Sequence, residues 1–311
     1  MIKDVIYADD CRESMVDAFR NGYEKAETTY FTKLNEGYRW LKKDVTLMAG
    51  VGNHGKSTFY IQLAVLRAKY NKEKFAIFSP EQYPADYFYN DIIHTLTGCY
   101  PSKKYMNEDI YFQSMRWVND HFFYVYPEDE NPTPDYINER FELLINEHGI
   151  AGVCIDPFNQ LVNDWETSGR DDRYISAFLQ KCKRFANLNN VYYHVIVHPK
   201  GTIGLDGADL RCPHVFDLAG GAMWNNHADN ILFIHKPYSI TDPKSTEVIV
   251  RVAKIKKQKI VGIPGDYNLN FERNKNRYFD QIGSPFDDNY GVINDSDLFH
   301  ESKKDSDAVP F

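Results

Sequence analysis

Eight residues constrain this chain more than any others: Gly50-Val51-Gly52-Asn53-His54-Gly55-Lys56-Ser57. They fit G-x-x-x-x-G-K-[ST], a glycine-rich turn whose successive backbone N–H groups wrap an anion at a helix N-terminus. The pattern needs a strand before it and a helix after it. Val45-Thr46-Leu47-Met48-Ala49 is an apolar run of strand character, and Thr58 to Tyr70 carries Phe59, Leu63, Leu66 and Tyr70 at helical spacing. With both flanks in place, a chance glycine turn beside an exposed lysine is the weaker explanation. The glycines permit positive φ and close approach of backbone to phosphate. Lys56 is then expected to reach the β- and γ-phosphates of a nucleotide, and the Ser57 hydroxyl to ligate Mg²⁺. Gly50, Gly52, Asn53, His54, Gly55 and Thr58 complete the expected nucleotide contacts.

At 311 residues, 43% of them hydrophobic, the chain can bury a sizeable core in one large α/β domain or two small ones. No apolar run approaches a membrane span. The start, Met1-Ile2-Lys3-Asp4, lacks a signal-peptide pattern, so a cytosolic protein is expected. Cys11, Cys99, Cys154, Cys182 and Cys212 are scattered without C-x-x-C pairing, which reads as free thiols. The formal net charge of −8 argues against a uniformly basic nucleic-acid coat while leaving local patches open.

Along the chain, residues 1–27 hold a short amphipathic helix with Met15, Val16 and Phe19 on one face. Either it packs on its own domain or it is an arm for a neighbouring subunit. Strand-like runs at Phe75–Ser79, Phe122–Tyr126, Gly152–Asp156 and Val191–His198 alternate with helical patterns at Pro84–Leu96, Tyr105–Trp117, Tyr136–His148 and Arg170–Asn187. That alternation favours a mainly parallel, twisted sheet with helices on both faces. Asn230–His235, Glu247–Ile255 and Tyr267–Phe271 read as three final strands. Absence of an internal repeat or linker makes residues 28–280 one domain, with residues 281–311 an acidic, disordered tail.

Asp156 ends a buried strand, where a phosphate-loop enzyme needs a second acid to hold Mg²⁺ opposite Ser57. Glu81 also follows a buried strand directly. In an open α/β sheet such strand ends meet at the ligand crevice, so Glu81 is a candidate general base; the alternative is an acid favoured by a helix N-terminus. His194 and His198 lie four apart on a strand, roughly 13 Å at about 3.3 Å per residue, too far to share one ion. His198, at the strand end, suits a hydrogen bond to a γ-phosphate.

Gly50–Ser57, Ser79-Pro80-Glu81-Gln82, Cys154-Ile155-Asp156-Pro157-Phe158-Asn159 and Val197-His198-Pro199-Lys200 stand in the order seen in DnaB-type replicative helicases. Asp217–Trp224 with Ala228-Asp229-Asn230, and Val252–Lys256 followed by Gly262-Ile263-Pro264-Gly265, are similar to later motifs of the same family. The resemblance is strongest to Twinkle-like and phage replicative helicases and covers residues 28–280. It implies a RecA-like P-loop NTPase core with antiparallel strands at the C-terminal end. It further implies Mg-ATP bound between the subunits of a homo-oligomeric, commonly hexameric ring, and single-stranded DNA in the central channel. On the matching positions, Lys56 and Ser57 bind phosphate and Mg²⁺, Asp156 supports the metal, and Glu81 is the base. His198 links the γ-phosphate to a channel loop spanning Lys200 to Asp217. The chain departs from the family at Lys254 and Lys256, where Lys-x-Arg is usual and the Arg reaches across the subunit boundary. Either Lys256 replaces that finger, or Arg251, Arg273 or Arg277 supplies it.

The basic segment Arg251–Arg277 reads either as a solvated face or as a surface for phosphates or DNA. Tyr278 is a candidate to stack on adenine. The chain has no room for a primase domain ahead of residue 28, so a minimal motor is expected. The tail ends Asp305-Ser306-Asp307-Ala308-Val309-Pro310-Phe311, acids before an apolar tip, resembling the C-terminal peptide of bacterial single-stranded-DNA-binding proteins. It is expected to dock on a replisome partner, to fold back on the 251–277 surface, or merely to solubilise. Against the helicase stands a RecA-like DNA-binding ATPase that does not unwind. A nucleotide kinase ranks last, for want of an Arg-rich lid.

Overall fold

Short apolar strands separated by amphipathic helices favour a parallel sheet covered on both faces. The computed structural model describes residues 4–162, 171–201 and 203–286. A helix, α1 (Arg12–Asn21), and a single turn, α2 (Leu34–Gly37), precede β1 (Val45–Ala49). Then come α3 (Lys56–Asn71), β2 (Phe75–Phe78), α4 (Ala85–Thr97), α5 (Glu108–His121) and β3 (Phe122–Val125). α6 (Pro134–His148) leads to β4 (Gly152–Ile155), and α7 (Asp171–Asn189) to β5 (Tyr192–Val197). A small hairpin, β6 (Leu205–Asp206) with β7 (Asp209–Leu210), and then α8 (Gly221–His227) separate β5 from β8 (Asn230–His235). β9 (Glu247–Ile255), β10 (Gly265–Glu272) and β11 (Arg277–Phe279) follow.

The main sheet runs β11-β10-β9-β8-β1-β5-β4-β2-β3. Every pairing from β8 to β3 is parallel, and β8 to β11 is antiparallel. Strand periodicity splits the core into two layers. Val45, Leu47 and Ala49 of β1 and Tyr193, Val195 and Val197 of β5 face the side covered by α6, α7 and α8. Met48, Tyr192 and Ile196 face α3, α4 and α5. Both faces being covered, the central strands read as continuous apolar runs. The helix limits are set by local chemistry: Asn107 caps α5 by accepting the Asp109 N–H at 2.8 Å. That is why α5 starts at Glu108 and not at the expected Tyr105. Thr133 caps α6 in the same way, ahead of Pro134.

Both outer strands are tied off by side chains. The Gln62 amide exchanges two hydrogen bonds with the Tyr278 backbone, Nε2 donating to the carbonyl at 2.8 Å and Oε1 accepting the N–H at 2.5 Å. On β3, the Tyr124 N–H donates to the Tyr89 hydroxyl at 3.3 Å. β11 and the β6–β7 hairpin had no sequence signal, because runs of two or three residues are too short to show a period.

The packed unit passes both expected limits. Ala26 N–H donates to Ile260 O at 3.1 Å, and Glu27 pairs with Trp40. At the other end Phe286 is only 5% exposed. Its ring lies 3.8 Å from the Arg277 guanidinium, and the Tyr70 hydroxyl donates to Pro285 O at 3.1 Å. The ordered part therefore includes residues 281–286, which were expected in the tail; residues 287–311 lie outside the described residues. No residue of α1 is buried and Phe19 is 89% exposed. Of the two expectations for that helix, packing on its own domain is not what the fold does. Among the described residues no helix is long and apolar enough to cross a membrane.

His194 sits in the core, its ring 4.5 Å from Trp40 and 5.1 Å from Tyr60, with the Tyr38 hydroxyl 2.9 Å from Nε2. Burial lowers its pKa to about 3. The unfolded chain takes up this proton near pH 6.5 and the folded one resists it. Stability should therefore fall as pH drops from about 6.5 towards 3, and His194→Gln should reduce that slope by about one proton in urea unfolding. An unchanged slope would place the titration elsewhere. Phe286→Ala should lower the unfolding free energy by about 3 kcal/mol; a change below about 0.5 kcal/mol would return residues 281–286 to the tail.

Candidate functional site

Parallel register puts the C-terminal ends of β1, β5, β4 and β2 side by side along one edge of the sheet. The residues that follow them are the phosphate loop, His198, Asp156 and Glu81. Side chains far apart in sequence thus meet at one crevice, the usual ligand position in an open α/β sheet.

The loop is held from behind. Gly50 passes so close to β8 that a Cβ there would lie 2.4 Å from the Ile234 carbonyl. Gly55, the N-cap of α3, has φ +86°, and a Cβ would lie 2.1 Å from the Tyr278 hydroxyl. That hydroxyl donates to Gly55 O at 2.9 Å. The His54 side chain turns inward, where Nδ1 accepts the Lys236 N–H at 3.2 Å, and burial brings its pKa down to about 4. His54 therefore shapes the loop from within and also lines the cleft beside it. Gly52 and Asn53 remain exposed, and Ser57 and Thr58 open the first turn of α3.

Lys56 is buried and its ammonium donates to Val51 O at 3.0 Å. Burial pushes its pKa down to about 8, partly offset by Asp156 and Glu81. Asp156 is buried too, and burial pushes its carboxyl up to about 6 against hydrogen bonding from Ser57 and the charge of Lys56. Ser79 Oγ stands 3.5 Å from Asp156 Oδ2. A hydroxyl and a carboxylate in hydrogen-bond contact, with a buried ammonium beside them, are the donor set that suits Mg²⁺ held on a nucleotide phosphate. Glu81 is exposed, accepting Gln160 Nε2 at 3.2 Å on one oxygen, with His198 Nε2 3.9 Å from the other. Burial first, then Lys56, lower the His198 pKa, so the imidazole is neutral at pH 7.

Lys256 is not brought to this crevice. In β9, which runs antiparallel to β8, Ile255 pairs with Asn230, at the far end of the sheet from the phosphate loop. There Lys256 Nζ lies 3.4 Å from buried Asp229, while Lys254 donates to the carbonyls of Asn225 and Ala228. The basic segment 251–277 is no open cationic face. Arg251 is locked on Asp266 by two 2.7 Å bonds, Lys257 on Asp44 at 2.6 Å, and Lys275 on Glu272 at 3.1 Å. Arg277 is buried on the carbonyls of Thr95 and Leu96, which removes it as a finger candidate.

Tyr278 does not offer a ring to a base: it is fully buried, packed edge-on against Phe59 and tilted on Phe271. Hydrophobic burial of β11 makes it the loop's back wall. Beside the loop lies a cleft of about 450 Å³ lined by Gly52, His54, Lys236, Tyr238, Ser245 and Arg273, with Tyr238 its exposed aromatic. Its volume falls in the usual range for small-molecule sites. Sequence reading missed it because its walls beyond the phosphate loop come from segments with no motif. The segment from Lys200 to Asp217 closes on itself, Lys200 N–H donating to Asp217 O at 2.8 Å. Asp209 ties its hairpin to the cleft wall through the N–H groups of Ile240 (2.8 Å) and Thr241 (3.1 Å).

No family model matches the chain. The Twinkle homolog protein, chloroplastic/mitochondrial, of Arabidopsis thaliana is 26% identical over 281 residues, 87% of this chain. The match spans 39% of that protein's length. A solved ATPase domain superposes with a TM-score of 0.73 at 17% identity, covering 89% of this chain and 99% of that one. A DnaB-like replicative helicase, described with its interactions with primase, gives 0.71 at 18% identity, covering 88% and 68%. The chain thus shares the fold of these two structures, with the mainly parallel α/β sheet expected from its sequence.

Gly55→Ala should destabilise the protein and weaken binding of a fluorescent ATP analogue at least about tenfold, since the new Cβ meets the Tyr278 hydroxyl. Adding Tyr278→Phe should recover part of the loss and leave about 1 kcal/mol for the left-handed backbone. Equal loss in the single and double variants would show that the hydroxyl is not the obstacle.

Proposed function

We propose that this chain is the ATP-hydrolysing motor of a ring-forming replicative DNA helicase that translocates on single-stranded DNA, with Mg-ATP bound at the boundary between copies. The observation that carries this reading is the convergence of Lys56, Ser57, Asp156, Glu81 and His198 from separate strand ends onto one crevice of a helicase-like ATPase fold. In it, the loop N–H groups and Lys56 hold the β- and γ-phosphates, and the neighbouring cleft takes the nucleoside. Ser57 and Asp156 would hold Mg²⁺, which would offset the phosphate charge. Glu81 accepts the proton of the attacking water. Neutral His198 hydrogen-bonds the γ-phosphate and reports its loss to the Lys200–Asp217 loop, which meets the DNA strand.

Assembly is supported by α1. Its apolar residues Met15, Val16 and Phe19 are uncovered by their own domain, and a second copy is the occupant that buries them. Lys256 fits the same arrangement, because its distance from its own phosphate loop leaves only a neighbour's nucleotide within reach. The acidic tail would then be free to meet a replisome protein.

Glu81→Gln should keep ATP binding and lose about 10²–10⁴-fold in hydrolysis. Strand displacement on a forked duplex, run beside Lys56→Ala, tests the motor itself. DNA-stimulated hydrolysis without displacement would favour the non-unwinding RecA-like ATPase. A monomer in ATP and Mg²⁺ by light scattering would remove the ring.

A further inference from the structure

Glu81 stands on very little backbone structure of its own. It is the middle residue of a single turn, Pro80–Gln82, that follows Ser79 at the end of β2. A turn of this kind closes few hydrogen bonds. Here the Gln82 N–H donates to the Ser79 carbonyl at 3.0 Å, and the Tyr83 N–H to Pro80 O at 3.3 Å. Where Glu81 points is therefore decided by what fixes Ser79. That residue is wholly buried, with its hydroxyl anchored 3.5 Å from Asp156 Oδ2. Its carbonyl accepts a second hydrogen bond, from the Tyr124 phenol at 2.8 Å. Tyr124 belongs to β3, the outermost strand, where parallel pairing sets it opposite Ile77, two residues before Ser79. Its own position is over-determined. Phe88 stacks on its ring at 4.5 Å, Tyr126 lies nearly parallel at 6.0 Å, and its N–H donates to the Tyr89 hydroxyl at 3.3 Å. Burial first, then the neighbouring phenols of Tyr126, Tyr89 and Tyr83, push its pKa up to about 12, so the hydroxyl keeps its proton and donates.

We propose that Tyr124 is a positioning residue for ATP hydrolysis: its phenol pins the Ser79 carbonyl and so aims Glu81 at the attacking water. The inference rests on the reading of Glu81 as the base and names the group that directs it. Gln160 and His198 meet the Glu81 carboxylate itself, at 3.2 and 3.9 Å, but on an exposed side chain. The phenol bonds to the backbone of a buried residue instead, and fixes the origin from which that side chain extends. A phenylalanine would fill the same space and stack on Phe88 as well. The hydroxyl is what tyrosine adds, and the Ser79 carbonyl is what it holds.

The test uses the full chain with ATP, Mg²⁺ and single-stranded DNA. Tyr124→Phe should lower kcat about 10- to 100-fold, the scale of a reacting group displaced by about 1 Å. KM for ATP and affinity for a fluorescent ATP analogue should stay within about twofold, because the phosphate loop is untouched. Tyr126→Phe removes a hydroxyl from the same stack that is not the one on Ser79, and should turn over like wild type. A phenol that merely supports the fold would act whatever the base, so the deciding measurement is a double variant. In single-turnover phosphate release, Glu81→Gln with Tyr124→Phe should be no slower than Glu81→Gln alone. Wild-type kcat in Tyr124→Phe beside an inactive Glu81→Gln overturns the assignment and leaves Glu81 as the base. Losses that multiply in the double variant make Tyr124 a structural support and also overturn it. Full turnover of Glu81→Gln defeats the reading of Glu81, and this inference with it.

Discussion

The parallel pairing of β1 between β5 and β8 is the constraint on which everything else rests. It fixes which strand ends are neighbours, and so which loops can share a ligand. Asp156 and the phosphate loop are separated by one strand, and the strand between them delivers His198. Were β4 to pair with β1 directly, the loop and the acid would draw together with no place between them for an imidazole. Burial on both faces makes this order hard to disturb, since a slip in β1 or β5 by one residue would exchange the two apolar layers.

The same burial sets the electrostatics of the crevice. Lys56 and Asp156 are both removed from water, and each is pushed towards its neutral form. Such a pair gains most when further charge arrives to complement it, because little water has to be displaced and the local dielectric is low. Arg67 solves a comparable problem differently: it is buried with Glu73 at 2.7 Å and Glu27 at 2.9 Å, each partner already in place. One arrangement is complete as it stands; the other is built to be completed.

Legibility followed the length scale of the cause. Phosphate-loop chemistry is local, so Gly50 to Ser57 could be read with both flanks, and the central strands were plain because double-sided burial writes continuous apolar runs. Asn107 moved a helix start that periodicity alone placed too early. Tyr278 was misjudged because an aromatic after basic residues looks exposed, and only the pairing of β11 with β10 turns it inward. The basic look of 251–277 failed for a related reason: Asp44 and Asp229 come from elsewhere in the chain, and Asp266 meets Arg251 only through the pairing of β9 with β10, so spacing cannot announce them.

The two tied-off strands bear on how copies of this chain can meet. An outer strand with free N–H and carbonyl groups is a template for another chain, and proteins that keep one open risk joining edge to edge without limit. Here an amide side chain occupies the backbone groups of Tyr278 and a phenol occupies the N–H of Tyr124. At those positions the sheet is closed as an adhesive. Proposed contacts between copies would at those positions run through helices and loops, which can loosen and re-form without unzipping a ladder. For the motor proposed above, whose subunits would shift against one another at every cycle, that is the kind of joint required.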